Sequence, residues 1–84
     1  MQHDLKVWPE YFRALAHGKR FEVRKNDRNF QVGDELLLRE YAPGPDEYTG
    51  QTLTVTVNYI LSGDDPMGYA FGIRPGFCVL SING

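Results

Sequence analysis

The stretch TLTVTVNY, residues 52–59, constrains the fold more than any other part of the chain. Its four apolar side chains alternate strictly with Thr and Asn, and they are Leu53, Val55, Val57 and Tyr59. Successive side chains of a β-strand point to opposite faces, so this pattern is typical of a strand with one buried and one solvated face. The stretch therefore predicts a strand whose four apolar side chains lie in the core.

Shorter patterns predict four further strands, over about residues 3–7, 20–24, 35–41 and 77–82. In the first, Leu5 and Val7 are expected to face inward because they alternate with charged residues. The third contains three consecutive leucines at 36–38, which favours a strand that is covered on both faces.

One helix is predicted over about residues 9–17. Apolar side chains recur at the spacing of one helical face, at Trp8, Phe12, Leu15 and Ala16. Pro9 suits a first helical turn, and Gly18 suits the left-handed position just after a helix. On this pattern, Trp8 is expected to belong to the core; the alternative is that Trp8 and Tyr11 are rings on which a base stacks.

The remaining segments are predicted to be loops. Residues 43–50 begin with Pro-Gly-Pro-Asp, residues 62–67 form an acidic turn, and residues 68–76 are irregular and rich in glycine. Tyr69 and Phe71, in this last segment, are expected either to plug the core or to stack on a ligand.

These elements predict a mostly β (α+β) fold in a single domain, residues 1–84. A chain of this length buries about 60–65% of its unfolded surface, which is enough for one core. Short strands avoid exposed edges by closing on themselves, which favours a small β-barrel of about five strands with the N-terminal helix beside a cleft. An open α+β sheet with the helix on one face is the alternative.

Composition limits the classes of function. Cys78 is the single cysteine and lies in the apolar run FCVLSI, so a buried structural thiol in a reducing, cytoplasmic setting is expected. No stretch resembles an apolar leader or approaches the roughly 18 apolar residues that span a bilayer. His3 and His17 lack carboxylate partners at ligand spacing, so neither a metal site nor a cofactor is expected.

Charge is concentrated in residues 13–28, which contain six basic and two acidic side chains, whereas the whole chain has a net charge of −2. A compact basic segment in an acidic protein predicts a local anion site and disfavours tight, non-specific binding of duplexes. Within this segment, Phe21 and Val23 are expected in the core. Arg20, Glu22 and Arg24 would then share the opposite face, either as exposed ion pairs or as a ligand site.

Three runs in the chain resemble the ASCH domains, and they are GKRFEVRKNDRNFQVGDELLLREY, EYTGQTLTVTVNYIL and PGFCVLSI. The resemblance covers residues 5–82 and is closest to short bacterial and phage members with a GKxFE[IV]RKNDRxFxVGD pattern. It implies a PUA-like barrel in a superfamily linked to RNA. The group also contains amidohydrolases that deacylate acetylated cytidine with a Lys, a Thr and a distant Glu. Lys19 falls on that Lys and Arg24 on a family Arg, but Glu22 replaces the Thr.

The first functional prediction is an RNA- or nucleotide-binding module. Its candidate ligand-binding residues are Lys19, Glu22, Arg24, Lys25, Arg28 and Tyr69. The first alternative is an amidohydrolase of acylated cytidine nucleosides, in which Lys19 and Glu22 would be the catalytic residues. The second alternative is a protein-interaction or regulatory module of a phage or mobile element, in which the basic segment docks on an acidic partner.

Overall fold

The computed structural model describes residues 1–83. It contains five strands and two short helices, in the order β1 (Gln2–Val7), α1 (Pro9–Ala16), β2 (Phe21–Lys25), β3 (Glu35–Ala42), β4 (Glu47–Ser62), α2 (Pro66–Ala70) and β5 (Phe77–Asn83). The five predicted strands and the N-terminal helix are confirmed, with ends that differ by one or two residues except at β4. There the strand begins at Glu47, so the predicted 43–50 loop is a short hairpin turn.

The strands form one mixed sheet in the order β1-β3-β4-β5-β2. β1 pairs with β3 in parallel, and the other three pairings are antiparallel. The sheet curls into a half-barrel whose edges are β1 and β2. The predicted mostly β fold is thus confirmed, whereas backbone pairing does not close the sheet within residues 1–83.

Two arginine side chains bridge the edges that the backbone leaves apart. Arg24, on β2, donates from Nη2 to the carbonyl oxygen of Lys6 at 2.8 Å. Arg28, just after β2, donates from Nη1 to the carbonyl oxygen of Asp4 at 2.7 Å. Both acceptors belong to β1, so charge-assisted hydrogen bonds join the edges where a closed barrel would have a strand ladder.

The core lies on the inner face of the curled sheet. Its fully buried members are contributed by β3, β4 and β5 and include Leu36, Leu38, Val57, Cys78 and Leu80. The inward positions of Leu5 and Val7 are also confirmed. Leu37 is only half-buried, so β3 is less covered on its outer face than its three leucines predict.

The alternation in β4 is interrupted near its end. The register with β5 shifts between Val57 and Tyr59, and Tyr59 is exposed instead of buried. A bulge adds a residue to one strand and turns the following side chains to the other face. The predicted buried face of β4 is therefore wrong at Tyr59, because a bulge has no distinct period-two signature.

α1 has the predicted extent, but its apolar stripe is only partly buried. Leu15 is buried and Phe12 packs on the core, whereas Trp8 is 55% exposed, so its predicted core position is wrong. Trp8 precedes the helix, in extended conformation, and its ring faces a cleft beside α1.

α2 spans the end of the predicted acidic turn, residues 62–67, and the start of the predicted irregular segment, residues 68–76, where the sequence predicts no helix. Pro66 occupies its first turn, and Asp65 precedes it, which is a recognisable start signal for a helix. Tyr69 and Phe71 are both exposed there, so neither plugs the core. Neither helix has the length and apolar character needed to span a membrane, among the residues that the structure describes.

A buried hydrogen bond between His3 and Asp34 anchors the start of the chain to the turn before β3. His3 Nε2 lies 2.8 Å from Asp34 Oδ2, and the Gln31 N–H donates to the same oxygen at 3.0 Å. The hydrogen bonds from His3 and from Gln31 lower the pKa of Asp34, and burial opposes them only in part. The ionised carboxylate is thus the form that the folded protein favours.

Candidate functional site

A cleft of about 560 Å³ opens where the edges β1 and β2 meet the start of α1. Its lining comes from the end of β1, the start of α1, the residue before β2 at position 19 and the first four residues of β2, namely Lys6, Val7, Trp8, Tyr11, Lys19, Phe21, Glu22, Val23 and Arg24. Ligand clefts in proteins commonly have volumes of about 300–1,000 Å³, so this one has the size of a small-molecule site.

Glu22 forms the polar centre of the cleft. The residue is 3% exposed, and both carboxylate oxygens are paired. Oε1 accepts from Lys19 Nζ at 3.1 Å, and Oε2 accepts from Arg24 Nε at 3.2 Å, with Arg24 Nη2 at 3.1 Å. A buried carboxylate needs such partners because its desolvation is otherwise too costly.

The face of β2 is the reverse of the predicted one. Glu22 and Arg24 pair with the buried Leu80 and Cys78 of β5 and face the inside of the sheet. Phe21 and Val23 are 47% and 58% exposed, so their predicted core position is wrong. β2 is an edge strand that borders the cleft. Lys19 and Arg24 compensate the charge of the buried Glu22 carboxylate, so β2 is stable with its charged side chains inside and Phe21 and Val23 outside.

The end of α1 places Lys19. Gly18 adopts φ of +110°, which favours glycine, and the following Lys19 N–H donates to the Ala14 carbonyl at 3.0 Å. This return of the backbone directs the side chain toward Glu22. The Lys19 ammonium also lies 5.4 Å from the Tyr11 ring centroid and 5.1 Å from that of Phe21.

Three aromatic rings border the cleft around this charged centre. Trp8, Tyr11 and Phe21 are 55%, 49% and 47% exposed, so each has an uncovered ring surface. Exposed aromatic side chains mark interaction sites when they cluster in one patch. The cleft thus combines three aromatic faces with three cations and one carboxylate, a net positive charge in an acidic protein.

The structure brings together some of the predicted site residues and separates others. Lys19, Glu22 and Arg24 converge as expected. Lys25 is exposed outside the cleft, and Arg28 points to β1. Tyr69 lies on α2, away from the cleft lining. None of these last three contributes to the cleft.

Sequence reasoning missed the contribution of β1 and favoured the core over the cleft for Trp8 at the helix start. Lys6, Val7 and Tyr11 all line the cleft, together with Trp8. The signal for Trp8 and Tyr11 was present, since two aromatic residues lie close together before and within the first turn of a helix that ends at the basic segment. No local pattern indicated Lys6, because its position depends on the parallel pairing of β1 with β3.

Cys78 does not belong to this site. Its side chain is fully buried, as predicted, and burial raises the pKa of the thiol, with a further contribution from the charge of Asp64. Within residues 1–83, no cluster of three or more His, Cys, Asp or Glu side chains is arranged to hold a metal ion.

The curled sheet and its cleft define a small β-rich domain with a charged, aromatic pocket at the junction of its edge strands. The chain belongs to the family described as "Domain of unknown function (DUF3850)", whose model matches residues 2–82. A protein of Escherichia phage P2, described as "Uncharacterized 12.9 kDa protein in GpA 3'region", is 34% identical over 64 residues, or 75% of this chain. The matched region spans 57% of the phage protein's length.

Proposed function

We propose that this protein is an RNA- or nucleotide-binding module that accepts a nucleobase in the cleft between β1 and β2. The observation that carries the proposal is the ring of exposed aromatic side chains around Glu22, which is itself held by Lys19 and Arg24. The resemblance to ASCH domains, with the PUA-like barrel that it implies, belongs to the same proposal. Five curled strands and a helix beside a cleft support it.

Stacking supplies the first part of the recognition. Bases of single-stranded nucleic acids are commonly held against aromatic rings, at about 1–3 kcal/mol per base. Trp8, Tyr11 and Phe21 lie around one cleft of about 560 Å³, which leaves room for one base among them. Every base has an aromatic face, so stacking alone selects for bases as a class.

Hydrogen bonding supplies the second part. Oε1 of Glu22 accepts one hydrogen bond, from Lys19, and keeps a further acceptor site, which suits the exocyclic amino group of a base. Lys19 and Arg24 can donate to a base carbonyl or to a phosphate oxygen, and Arg24 does so from a planar guanidinium. An amino-bearing base with an adjacent phosphate therefore matches the cleft best.

The intrinsic fluorescence of Trp8 can report binding, because Trp8 is the single tryptophan of the chain and lines the cleft. We expect nucleotides and short single-stranded RNAs to change its fluorescence at low salt. Tyr11→Ala should weaken binding by roughly five- to hundredfold, which corresponds to one lost stacking contact. Tyr69→Ala is the matched control, since Tyr69 is exposed outside the cleft, and it should bind as the natural protein does.

The proposal is wrong if neither nucleosides, nucleotides nor short RNAs change the fluorescence of Trp8 or the amide NMR signals of residues 18–28. Equal effects of the Tyr11 and Tyr69 variants would also refute it, since binding would then not depend on the cleft.

One contact favours a second candidate, an amidohydrolase of acylated cytidine nucleosides. Lys19 Nζ and Glu22 Oε1 are 3.1 Å apart beside the space where a substrate would lie, so they can exchange a proton during hydrolysis. Against it, Glu22 stands where the resembling enzymes have a hydroxyl. Incubation with acylated cytidine should release the deacylated nucleoside, and Lys19→Met should abolish the release. If the natural protein releases none, this candidate is excluded.

A further inference from the structure

A second group of cationic and aromatic side chains lies on the outer face of the sheet, next to the β3–β4 hairpin. We call it the hairpin cluster, and it consists of Lys6, Arg39, Tyr41 and Tyr48. Arg39 Cζ lies 3.8 Å from the centroid of the Tyr48 ring, and Lys6 Nζ lies 4.4 Å from that of Tyr41. The two tyrosine rings meet edge to face at 5.3 Å.

Pairing of the strands builds this cluster. Lys6 is opposite Arg39 in the parallel β1–β3 ladder, and Tyr41 is opposite Tyr48 in the antiparallel β3–β4 ladder. The register of β3 and β4 shifts between Arg39 and Tyr41, so a bulge adjoins the cluster. Bulges commonly redirect side chains beside functional surfaces.

Lys6 connects the hairpin cluster to the cleft. It is one of the residues that line the cleft, and its ammonium also lies 4.4 Å from the Tyr41 ring centroid and 5.9 Å from that of Tyr48. Lys6 therefore lies between the aromatic rings of the cleft and those of the hairpin cluster: its carbonyl oxygen accepts from Arg24 at the cleft, and its ammonium faces the two tyrosines.

We propose that the ligand is a single-stranded nucleic acid of several nucleotides, which leaves the cleft at Lys6 and continues over the hairpin cluster. This inference rests on the proposed function of the cleft. Single-strand sites combine stacking surfaces with cations that follow the backbone, and the surface from Trp8 to Tyr48 has both. Lys6, between the two sets of rings, is placed to meet the phosphate that links one nucleotide to the next.

Arg39 has the geometry of a stacking platform. Its guanidinium lies over the Tyr48 ring, and arginine planes stack on bases as aromatic rings do, so Arg39 is placed where it could carry a base. Its one acidic contact is weak, because Asp4 Oδ2 lies 3.4 Å from Nη1 and both side chains are partly exposed. Asp46 and Glu47, at the hairpin turn, limit how far a polyanion can extend.

A purely structural role is the competing explanation, because Tyr41 and Tyr48 form a cross-strand pair that would stabilise any hairpin. The affinities of ligands of different length distinguish this structural role from a role in binding. We would measure the affinity of a nucleoside monophosphate and of oligonucleotides of about four to eight nucleotides. Ribose and deoxyribose strands are compared, so that the preferred sugar is identified in the same experiment.

We expect the oligonucleotides to bind at least about tenfold more tightly than the monophosphate. Arg39→Gln should remove most of this gain, reduce the slope of log affinity against log salt by about one, and leave monophosphate binding unchanged. Arg74→Gln is the matched control, since Arg74 also lies over an aromatic ring, 4.9 Å from the Phe77 centroid, but outside the proposed path. Arg39→Lys, which keeps the charge without the plane, should lose part of the gain.

Monophosphate binding without any gain for oligonucleotides would overturn the extended path and leave the proposed function intact. An Arg39→Gln variant that folds and still binds oligonucleotides with the full gain in affinity would also overturn the extended path. If Arg39→Lys keeps the full gain, Arg39 does not act by stacking on a base. If neither the monophosphate nor the oligonucleotides bind, the proposed function fails, and the path fails with it.

Discussion

Replacing Glu22 by Gln tests whether the buried carboxylate is the centre of the cleft. The substitution keeps the shape of the side chain but removes its charge. The three contacts at 3.1–3.2 Å cannot all survive, since the amide nitrogen of Gln donates and cannot accept from Lys19 or Arg24. At least one charge-assisted hydrogen bond is lost, and two cations then face each other without a counter-charge.

The expected cost follows from the burial of the three side chains. A hydrogen bond to a charged group contributes about 1.5–3 kcal/mol. The side chains of Lys19 and Arg24 are 18% and 24% exposed, so they can turn toward water in the cleft, which keeps the cost below that of a fully buried, broken pair. We therefore expect Glu22→Gln to lower the free energy of unfolding by about 2 kcal/mol, or the Tm by about 8–16 °C.

Urea unfolding followed by circular dichroism measures this free energy. Glu35→Gln is the control, because it removes the same charge from an exposed side chain and should change stability by at most about 0.5 kcal/mol. The difference between the two variants should persist in about 0.5 M salt, because buried pairs are screened little. If Glu22→Gln is as stable as Glu35→Gln, the carboxylate is not held as described.

Three further perturbations test other parts of the fold. Arg24→Lys removes the planar guanidinium that bridges β2 to β1, so amide hydrogen exchange in β1 should accelerate. The control is Arg20→Lys, which changes an exposed side chain and should leave the exchange rates of β1 unchanged. The lowered pKa of Asp34 means that its ionised form stabilises the fold above about pH 4, and this contribution is lost as the pH falls further. The stability difference between the natural protein and Asp34→Asn should therefore shrink on acidification, and a constant difference from pH 6 to pH 2 would contradict the assignment. Gly68→Ala would place a methyl group against the backbone carbonyl of Ser62 at the end of β4, so it should lower the free energy of unfolding. Gly44→Ala, where the methyl group meets open space, should lower it far less. Equal stability of the two variants would contradict this packing.

The strands could be predicted from the sequence because their periodicity is local, but the faces of β2 could not. Phe21 and Val23 alternate with charged residues, and hydrophobicity alone places them inside. The structure reverses the faces because Glu22 receives partners from the end of α1 and from its own strand, so its burial is compensated. Such compensation depends on how Lys19 is placed in three dimensions, which a pattern of period two does not contain.

Only the part of the candidate site that is local in the sequence could be predicted. Lys19, Glu22 and Arg24 lie within six residues of one another, so the charge pattern indicated them together. Lys6 and Trp8 join them only because β1 pairs in parallel with β3 and thereby becomes the edge that faces β2. Pairing between distant, non-consecutive strands has no local signature, so the sequence does not indicate Lys6 and does not place Trp8 at the cleft instead of the core.

At the open junction between β1 and β2, Arg24 both joins the two edges of the sheet and lines the cleft. Backbone pairing of the two edges would satisfy their polar groups but would leave no space between them. Here the guanidinium of Arg24 reaches both the Lys6 carbonyl and the Glu22 carboxylate, so the atoms that hold the edges together also form the wall of the cleft. A ligand that competes for the Arg24 Nη2 donor must then alter the bridge to β1. We therefore expect ligand binding to change hydrogen exchange at the free edge of β1 even where no ligand atom touches it; unchanged exchange in a saturated complex would show that the bridge and the cleft act independently.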